Sequence, residues 1–205
     1  YVDLSTPFAY YPMGVDMEET NLIGSPFHTN QTEIIRSIIK SLPVNYKLYV
    51  KENPAQISRG WRRISEYKEI LDIPGIEFIH PSYSSENLLK NCALVLTISG
   101  TSGFEAAIYN KPAIVFSNTF YSSLSSVYRI KEIEDLPQAI KISLSKKLDP
   151  VNIDKFVKWL ELNTINFDRF GFFSLINNVF YHGGRLFKVN IDESTMNLFL
   201  QQNES

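Results

Sequence analysis

The sequence predicts an α/β protein with a Rossmann-like parallel sheet flanked by helices. Short apolar runs that suit buried strands alternate along the chain with segments whose apolar residues recur at a helical period. Strands separated by helices of this length form βαβ crossovers, so the strands lie parallel and the helices cover both faces. At 205 residues and 44% hydrophobic content, the chain is long enough to bury such a core.

Four segments are predicted as buried strands because they are short, apolar and rich in β-branched residues. In chain order they are KLYV at 47–50, IEFI at 76–79, ALVLTI at 93–98 and AIVF at 113–116. A fifth segment, PFAYYPM at 7–13, is predicted as the first strand of the same sheet.

Three segments between the strands have helical patterns: TNQTEIIRSIIKSL, SSENLLKNC and SGFEAAIYN. The apolar residues of the first recur with a period of about 3.6. The first two begin with side chains that can cap a helix, Thr29 or Asn30 and Ser84 or Ser85. The third is expected to end at Asn110, directly before a Lys-Pro step.

Two more amphipathic helices are predicted after the last of these strands, at 135–147 and 151–162. Beyond residue 162 the pattern weakens, and Phe and Asn become frequent. We therefore expect one Rossmann-like domain over residues 1–162 and an aromatic-rich C-terminal extension over 163–205. We expect the extension to pack on that domain or on a missing lobe. The chain starts with Tyr rather than Met, which suggests a piece of a longer protein.

The charge and apolar content exclude several classes of protein. The net charge is -2, from 20 basic and 22 acidic side chains spread along the chain, so nucleic-acid binding is not expected. No apolar stretch approaches the roughly 20 residues that span a bilayer, and no leader pattern opens the chain. We therefore expect a cytoplasmic protein.

The metal-binding residue types are sparse. The single cysteine, Cys92, excludes an internal disulfide and a cysteine-rich metal site, and its apolar surroundings favour a buried residue over a nucleophile. The three histidines, at positions 28, 80 and 182, are expected in loops or on the surface. No paired aspartates or histidine-rich cluster suggest a metal ion, so none is expected.

The junction between the fourth predicted strand and the following helix, TISGTSGFE at 97–105, contains two of the chain's nine glycines. Ligands of open parallel sheets bind beyond the carboxyl ends of the strands. Gly100 and Gly103 would let the backbone approach a phosphate, and hydroxyls of Ser99, Thr101 and Ser102 would add donors beside the free N–H groups of the helix start.

Glu105 follows one turn into this helix, where a carboxylate can bind both vicinal hydroxyls of a ribose. An ordinary capped helix is the alternative interpretation of the same residues: a hydroxyl cap, glycines for a tight turn, and Glu105 facing the positive end of the helix dipole. From this pattern alone the two interpretations have equal weight.

Two further polar clusters favour the ligand-binding interpretation. Lys51, Glu52, Asn53 and Pro54 directly follow the KLYV strand, and Asp16, Glu18 and Glu19 follow the first apolar run. Because parallel strands of one direction end at one edge of the sheet, these clusters are expected to face one crevice.

Three blocks of the sequence resemble the bacterial capsule polysaccharide biosynthesis proteins, glycosyltransferases of GT-B architecture that include transferases of 3-deoxy-manno-octulosonate (Kdo). The blocks are KSLPVNYKLYVKENP at 40–54, CALVLTISGTSGFEAAIYNKPAIVFSNTFYS at 92–122 and DLPQAIK at 135–141. In that family the first block usually ends in KEHP and the second has the form TxxGTxGxEAxxxxKPxxxFGxxFY. The resemblance extends from about residue 12 to residue 162.

TISGTSGFEA also resembles the loop of UDP-N-acetylglucosamine 2-epimerase, where the equivalent serine and glycine contact phosphate and the glutamate contacts ribose. The resemblance therefore implies that Ser99, Gly100, Thr101 and Glu105 bind the nucleotide. It also implies that the chain is the C-terminal, donor-binding lobe of a GT-B enzyme. The N-terminal lobe would supply acceptor recognition and, in many inverting members, the general base.

The chain departs from the family pattern at two positions. Asn53 replaces the histidine of KEHP, and Gly14 replaces the histidine of a PLHxxPE block near the first strand. Glu18 keeps the carboxylate of that block, so it is the one catalytic candidate. Asparagine can donate a hydrogen bond to the donor phosphate but carries no charge.

The leading hypothesis is a glycosyltransferase lobe that binds a nucleotide-activated sugar such as CMP-Kdo, with a glycan acceptor. We expect no cofactor besides this substrate, and peripheral association with a capsule-assembly complex at the inner face of the membrane. Two alternatives stay open: a nucleotide-sugar epimerase or hydrolase with the same loop, and a non-catalytic module that binds sugar nucleotides.

Overall fold

The computed structural model describes residues 2–15, 28–56 and 60–164, the single residues 168 and 171, and the backbone of 181–182 and 185–186. The chain forms two compact units, Tyr1–Phe156 and Val157–Ser205. In the second unit, Tyr181–His182 and Arg185–Leu186 pair as a short antiparallel ladder. The domain boundary expected after residue 162 stays a prediction.

The described part of the first unit contains one six-stranded sheet in which every neighbouring pair is parallel. The strands are β1 (Phe8–Pro12), β2 (Lys47–Lys51), β3 (Ile76–Ile79), β4 (Leu94–Thr97), β5 (Ala113–Val115) and β6 (Val127–Arg129). Their order in the sheet is β3-β2-β1-β4-β5-β6. The predicted Rossmann-like parallel sheet is confirmed, as are the five predicted strands.

Helices lie between the strands along the chain, and two more follow β6. They are α1 (Gln31–Ser41), α2 (Ile64–Leu71), α3 (Ser85–Asn91), α4 (Ser102–Ile108), α5 (Leu136–Ser145) and α6 (Val151–Asn163). The side chain of Asn30 accepts a hydrogen bond from the Glu33 N–H, and Ser84 accepts one from the Asn87 N–H, so both act as N-caps. Asn110 follows α4 with φ of 54°, a left-handed conformation that ends the helix.

Helix α2 and strand β6 were not predicted. The apolar residues of α2 recur at helical spacing over 64–71, but only Ile70 is buried, so the helix packs little apolar surface against the sheet. Strand β6 has three residues, none of them buried, at the edge of the sheet. It carries no apolar run that would predict a strand, and it forms by pairing with β5.

Alternate residues of the strands fill two cores, one on each face of the sheet. On one face, strand residues such as Ala9, Leu48 and Leu96 pack against residues from α1, α2 and α5. On the other, Phe8, Tyr10, Tyr49 and Val95 pack against residues of α3 and α4. Cys92 is buried in this second core, and burial raises the pKa of its thiol to about 12, so it is an inert packing residue as predicted.

Candidate functional site

The crevice predicted for ligands lies where the connections of the sheet change direction. The chain runs from β1 outward to β2 and β3, then crosses back to β4 on the other side of β1. Strands β2 and β4 therefore flank β1, roughly 10 Å apart. The polar residues that follow these two strands lie at one edge, beside the switch point. Asp16, Glu18 and Glu19 lie outside the described residues.

The 97–105 junction is held in shape by Thr97 and Tyr121. The Gly100 N–H donates to Oγ1 of the buried Thr97 at 3.1 Å, and the Tyr121 hydroxyl donates to the Gly100 carbonyl oxygen. The Gly103 N–H donates to the same carbonyl oxygen at 3.3 Å. Hydrogen bonds within the protein therefore fix the conformation of this turn without a ligand.

The two glycines of the junction have a packing role that the sequence did not indicate. A Cβ on Gly103 would lie 2.7–3.0 Å from atoms of the Tyr121 side chain, and a Cβ on Gly100 would lie 2.7 Å from Oγ1 of Thr97. Both residues must be small because neighbouring side chains occupy the space. Close approach of a phosphate is an additional role that these contacts do not test.

The hydroxyl and carboxylate groups of the junction differ in how they are bound. Thr101 is exposed, and its hydroxyl donates to Oε1 of Glu105 at 2.9 Å. Ser99 is half-buried. Within the described part of the chain, Oγ of Ser102 is a buried side-chain oxygen that has no hydrogen-bond partner. Buried polar atoms are nearly always paired in native proteins, so this hydroxyl stands out among the polar groups of the junction.

Glu52 lies in a buried polar network beside the ends of β1 and β2. Its carboxylate accepts from Nε of Arg62 at 2.7 Å, from the Tyr67 hydroxyl at 2.9 Å and from the Asn53 N–H at 2.8 Å. The side chains of Glu52 and Arg62 are almost fully buried, with exposed fractions of 1% and 3%. Burial, together with the hydrogen bond to Glu52, raises the pKa of Tyr67 to about 12.

The same network holds the loop after β1. Nη2 of Arg62 donates to the carbonyl oxygen of Gly14 at 2.6 Å. Gln31 makes two further bonds to this glycine, since its side-chain Oε1 accepts from the Gly14 N–H at 2.8 Å and its Nε2 donates to the Gly14 carbonyl at 2.9 Å. Gly14, where the family pattern has a histidine, is therefore fixed through its backbone.

Neither Arg62 nor Gln31 was predicted as a site residue. Gln31 did carry a signal in the sequence, because it lies three positions before Ile34 on the buried face of α1, where an apolar residue is expected. Arg62 carried no such signal in the sequence, because two consecutive arginines are typical of a solvated segment. The neighbouring Trp61 is indeed exposed.

The other predicted site residues at the end of β2 and directly after it have different surroundings. Lys51 is only 4% exposed, and its ammonium donates to Oγ of Ser85 at 2.7 Å. Burial lowers the pKa of Lys51. Oδ1 of Asn53 accepts from the Ala55 N–H at 3.0 Å, so this side chain caps its own turn, and Pro54 is exposed in that turn.

Tyr10 lies beside the contact between Lys51 and Ser85. The Tyr10 hydroxyl lies 3.5 Å from Oγ of Ser85, the oxygen that binds Lys51. Burial is the main cause that raises the pKa of Tyr10 to about 12. Lys51, Ser85 and Tyr10 therefore belong to one neighbourhood on the α3–α4 face of the sheet.

A parallel sheet with polar loops gathered beside its switch point defines a Rossmann-like protein. The family model described as capsule polysaccharide biosynthesis protein matches residues 8–125, more than half of the chain. The chain therefore belongs to this family, as its resemblance implied. No curated protein matches the chain significantly.

Solved structures share the fold. KpsC of Thermosulfurimonas dismutans, as its β-Kdo 2,7-transferase, superposes with a TM-score of 0.51 at 19% identity over 73% of this chain and 44% of that one. The β-Kdo 2,4-transferase of the same protein gives 0.50 at 14% identity over 75% and 44%. The UDP-GlcNAc 2-epimerase of Methanocaldococcus jannaschii, in complex with UDP-GlcNAc and UDP, gives 0.53 at 19% identity over 77% and 45%.

These similarities confirm the predicted fold class, a Rossmann-like sheet of the type found in GT-B glycosyltransferases and related epimerases. This chain spans less than half the length of each of the three structures. Among the residues that the structure describes, no helix has both the length and the apolar character of a membrane span.

Proposed function

We propose that this chain is the donor-binding, C-terminal lobe of a glycosyltransferase that makes capsule or surface polysaccharide, with CMP-Kdo as the donor. Membership of the capsule polysaccharide biosynthesis family supports a role in polysaccharide synthesis. The fold shared with two Kdo transferases supports sugar transfer as the reaction. The fold shared with an epimerase solved with UDP-GlcNAc and UDP supports a nucleotide-sugar ligand.

The observation that carries the proposal is the unpaired Ser102 hydroxyl in the rigid 97–105 junction. In the proposed complex a phosphate oxygen accepts from this hydroxyl, and the phosphate is held over residues 99–103. Glu105 lies one turn further along α4 and binds the ribose hydroxyls. Thr101, which now donates to Glu105, orients that carboxylate.

The residues after β2 form the opposite wall of the proposed site. Lys51 and Asn53 face the donor, whereas Glu52 contributes by holding the wall in place through Arg62, because its carboxylate already accepts three hydrogen bonds. Pro54 closes the turn. Glu18 is proposed as the general base, and no metal ion is needed because neutral donors and helix dipoles stabilise the leaving phosphate.

This chain binds the donor, and sugar transfer to the acceptor requires the whole enzyme with both lobes. The other lobe supplies the glycan acceptor site, and the protein works in the cytoplasm beside a capsule-assembly complex at the inner face of the membrane. This placement is part of the proposal and follows from the family's process rather than from a contact in this chain.

A ligand screen tests the proposal. CMP, UDP, GDP and CMP-Kdo are added to the chain, and its unfolding is followed by differential scanning calorimetry. A ligand at about one hundred times its dissociation constant adds about 2.7 kcal/mol to the free energy of unfolding. CMP and CMP-Kdo are expected to stabilise most; equal results for all ligands and for buffer alone would reject a nucleotide-sugar lobe.

A non-catalytic sugar-nucleotide module is the second candidate. It is favoured because Gly14 offers no side chain and Asn53 caps its own turn, so neither replaces a family histidine. Full-length protein incubated with CMP-Kdo and a glycan acceptor separates the candidates. Sugar transfer supports the transferase, free sugar or an epimer without acceptor supports a hydrolase or epimerase, and binding alone supports the module.

A further inference from the structure

Lys51, the last residue of β2, and Arg62, just before α2, are two buried cations, and only one of them is neutralised by the described residues. Arg62 is paired with the carboxylate of Glu52 at 2.7 Å. Within the described part of the chain, the ion pairs involve other lysines and arginines, and the one hydrogen-bond acceptor of the Lys51 ammonium is the neutral hydroxyl of Ser85. Two of its three N–H donors therefore have no protein acceptor there.

A buried ammonium without a counter-charge opposes folding, because water solvates the charge far better than the protein interior does. The surroundings of Lys51 do not require a charge. The core on its face of the sheet contains apolar residues such as Tyr49, Ile79 and Leu88. An unneutralised buried cation in a crevice indicates a place for an anion.

The position of Lys51 suits such an anion. It is the last residue of β2, where it is in register with Pro12 of β1, at the edge where the polar loops lie. Ser85 holds the ammonium at 2.7 Å and Tyr10 approaches the same serine oxygen at 3.5 Å, so the cation is fixed rather than free to move into solvent.

We propose that the Lys51 ammonium is the cationic ligand of the donor's phosphate group, and that Ser85 and Tyr10 are positioning residues that aim it. This inference rests on the proposed function and deepens it. Asn53 stands where the family pattern has a histidine, but its neutral side chain supplies no positive charge to the phosphate. Lys51, two residues earlier in the sequence, supplies that charge. The ligand class is a nucleoside phosphate or diphosphate.

The test compares ligands with and without a phosphate. CMP, cytidine and inorganic pyrophosphate are titrated by calorimetry into the wild-type chain, Lys51→Met and the control Lys40→Met, which removes an exposed lysine from the end of α1. Lys51→Met is expected to weaken CMP and pyrophosphate at least tenfold and to leave cytidine within twofold. Lys40→Met is expected to match wild type for all three ligands.

Thermal unfolding without ligand gives a second measurement. Lys51→Met is expected to raise the melting temperature because it removes an unneutralised buried charge, whereas loss of a structural lysine would lower it. Ser85→Ala is expected to weaken CMP about fivefold, the effect of one hydrogen bond, with cytidine unchanged. Lys51→Gln replaces Lys51→Met if the methionine variant does not fold.

The outcomes separate the two proposals. If wild type binds CMP and Lys51→Met binds it equally well, the role of Lys51 is wrong and the proposed function stands. If wild type binds pyrophosphate but no nucleotide, and Lys51→Met does not bind pyrophosphate, the anion site stands and the proposed function is wrong. Equal loss of CMP and cytidine, or no binding of any phosphate by wild type, overturns the assignment of Lys51.

Discussion

The Tyr121 hydroxyl donates to the carbonyl oxygen of Gly100, and the ring of the same tyrosine lies against Gly103. One side chain from the loop after β5 therefore fixes both glycines of the 97–105 junction. The junction owes its shape to this contact and to the bond between Gly100 and Thr97. A preformed loop of this kind presents its hydroxyls without the entropic cost of ordering them on binding.

Gly103→Ala tests this contact. The added methyl group would lie 2.7–3.0 Å from the Tyr121 side chain, so we expect the free energy of unfolding to fall by about 1–3 kcal/mol, the usual cost of overpacking. Urea denaturation measures it. In a Tyr121→Ala background the same change is expected to be neutral or stabilising, since alanine favours a helix over glycine by about 1 kcal/mol. An equal loss in both backgrounds would show that the ring does not limit the site.

Arg62→Met tests the network that holds the loops after β1 and β2. The change leaves the Glu52 carboxylate buried without its cation and removes one of the two donors to the Gly14 carbonyl, so we expect a loss of about 3–5 kcal/mol in urea denaturation. Arg36→Met is the matched control, because its pairs with Glu33 and Glu69 are solvent-exposed and worth about 1 kcal/mol or less. Similar losses for both variants would contradict a special role for the buried pair.

Two buried tyrosines, Tyr10 and Tyr121, make the free energy of unfolding depend on pH in the alkaline range. Burial raises the pKa of Tyr10 and of Tyr121 to about 12 from 10.0. Their folded-state pKa values lie above the unfolded values, so their contribution is complete below pH 10 and is lost as the pH rises through 12. Absorbance at 295 nm is expected to show these phenols ionising together with unfolding, as followed by circular dichroism. Ionisation of Tyr10 or Tyr121 near pH 10 in the folded protein, taken from the absorbance difference between wild type and Tyr10→Phe or Tyr121→Phe, would contradict the burial.

Glu105→Ala and Ser102→Ala separate binding from stability. Each is expected to weaken CMP at least tenfold in titration calorimetry, since each removes a proposed ligand contact that no packing can replace. The melting temperature is expected to stay nearly constant for Glu105→Ala and to stay constant or rise for Ser102→Ala, because its hydroxyl is unpaired. Glu134→Ala and Ser123→Ala, at exposed positions, are the controls. Unchanged affinity in either test variant would remove that residue from the site.

The sequence predicted the sheet well because strands buried on both faces, such as LVLT of β4, are short apolar runs bounded by caps and turns. The order of the strands brings the polar residues at the ends of β2 and β4 to one edge, as predicted. The sequence did not predict the pairing of Glu52 with Arg62, because the two residues lie ten positions apart and no motif links them. Nor could it tell that Gly103 is small because of Tyr121, since that contact joins the first turn of α4 to the loop after β5.

A structure of the chain with bound CMP tests the central claim most directly. The account predicts a phosphate oxygen within hydrogen-bond distance of Oγ of Ser102 and the ribose hydroxyls on the carboxylate of Glu105. CMP bound elsewhere on the chain, with the 97–105 junction empty and Glu105 turned out of the crevice, would contradict it.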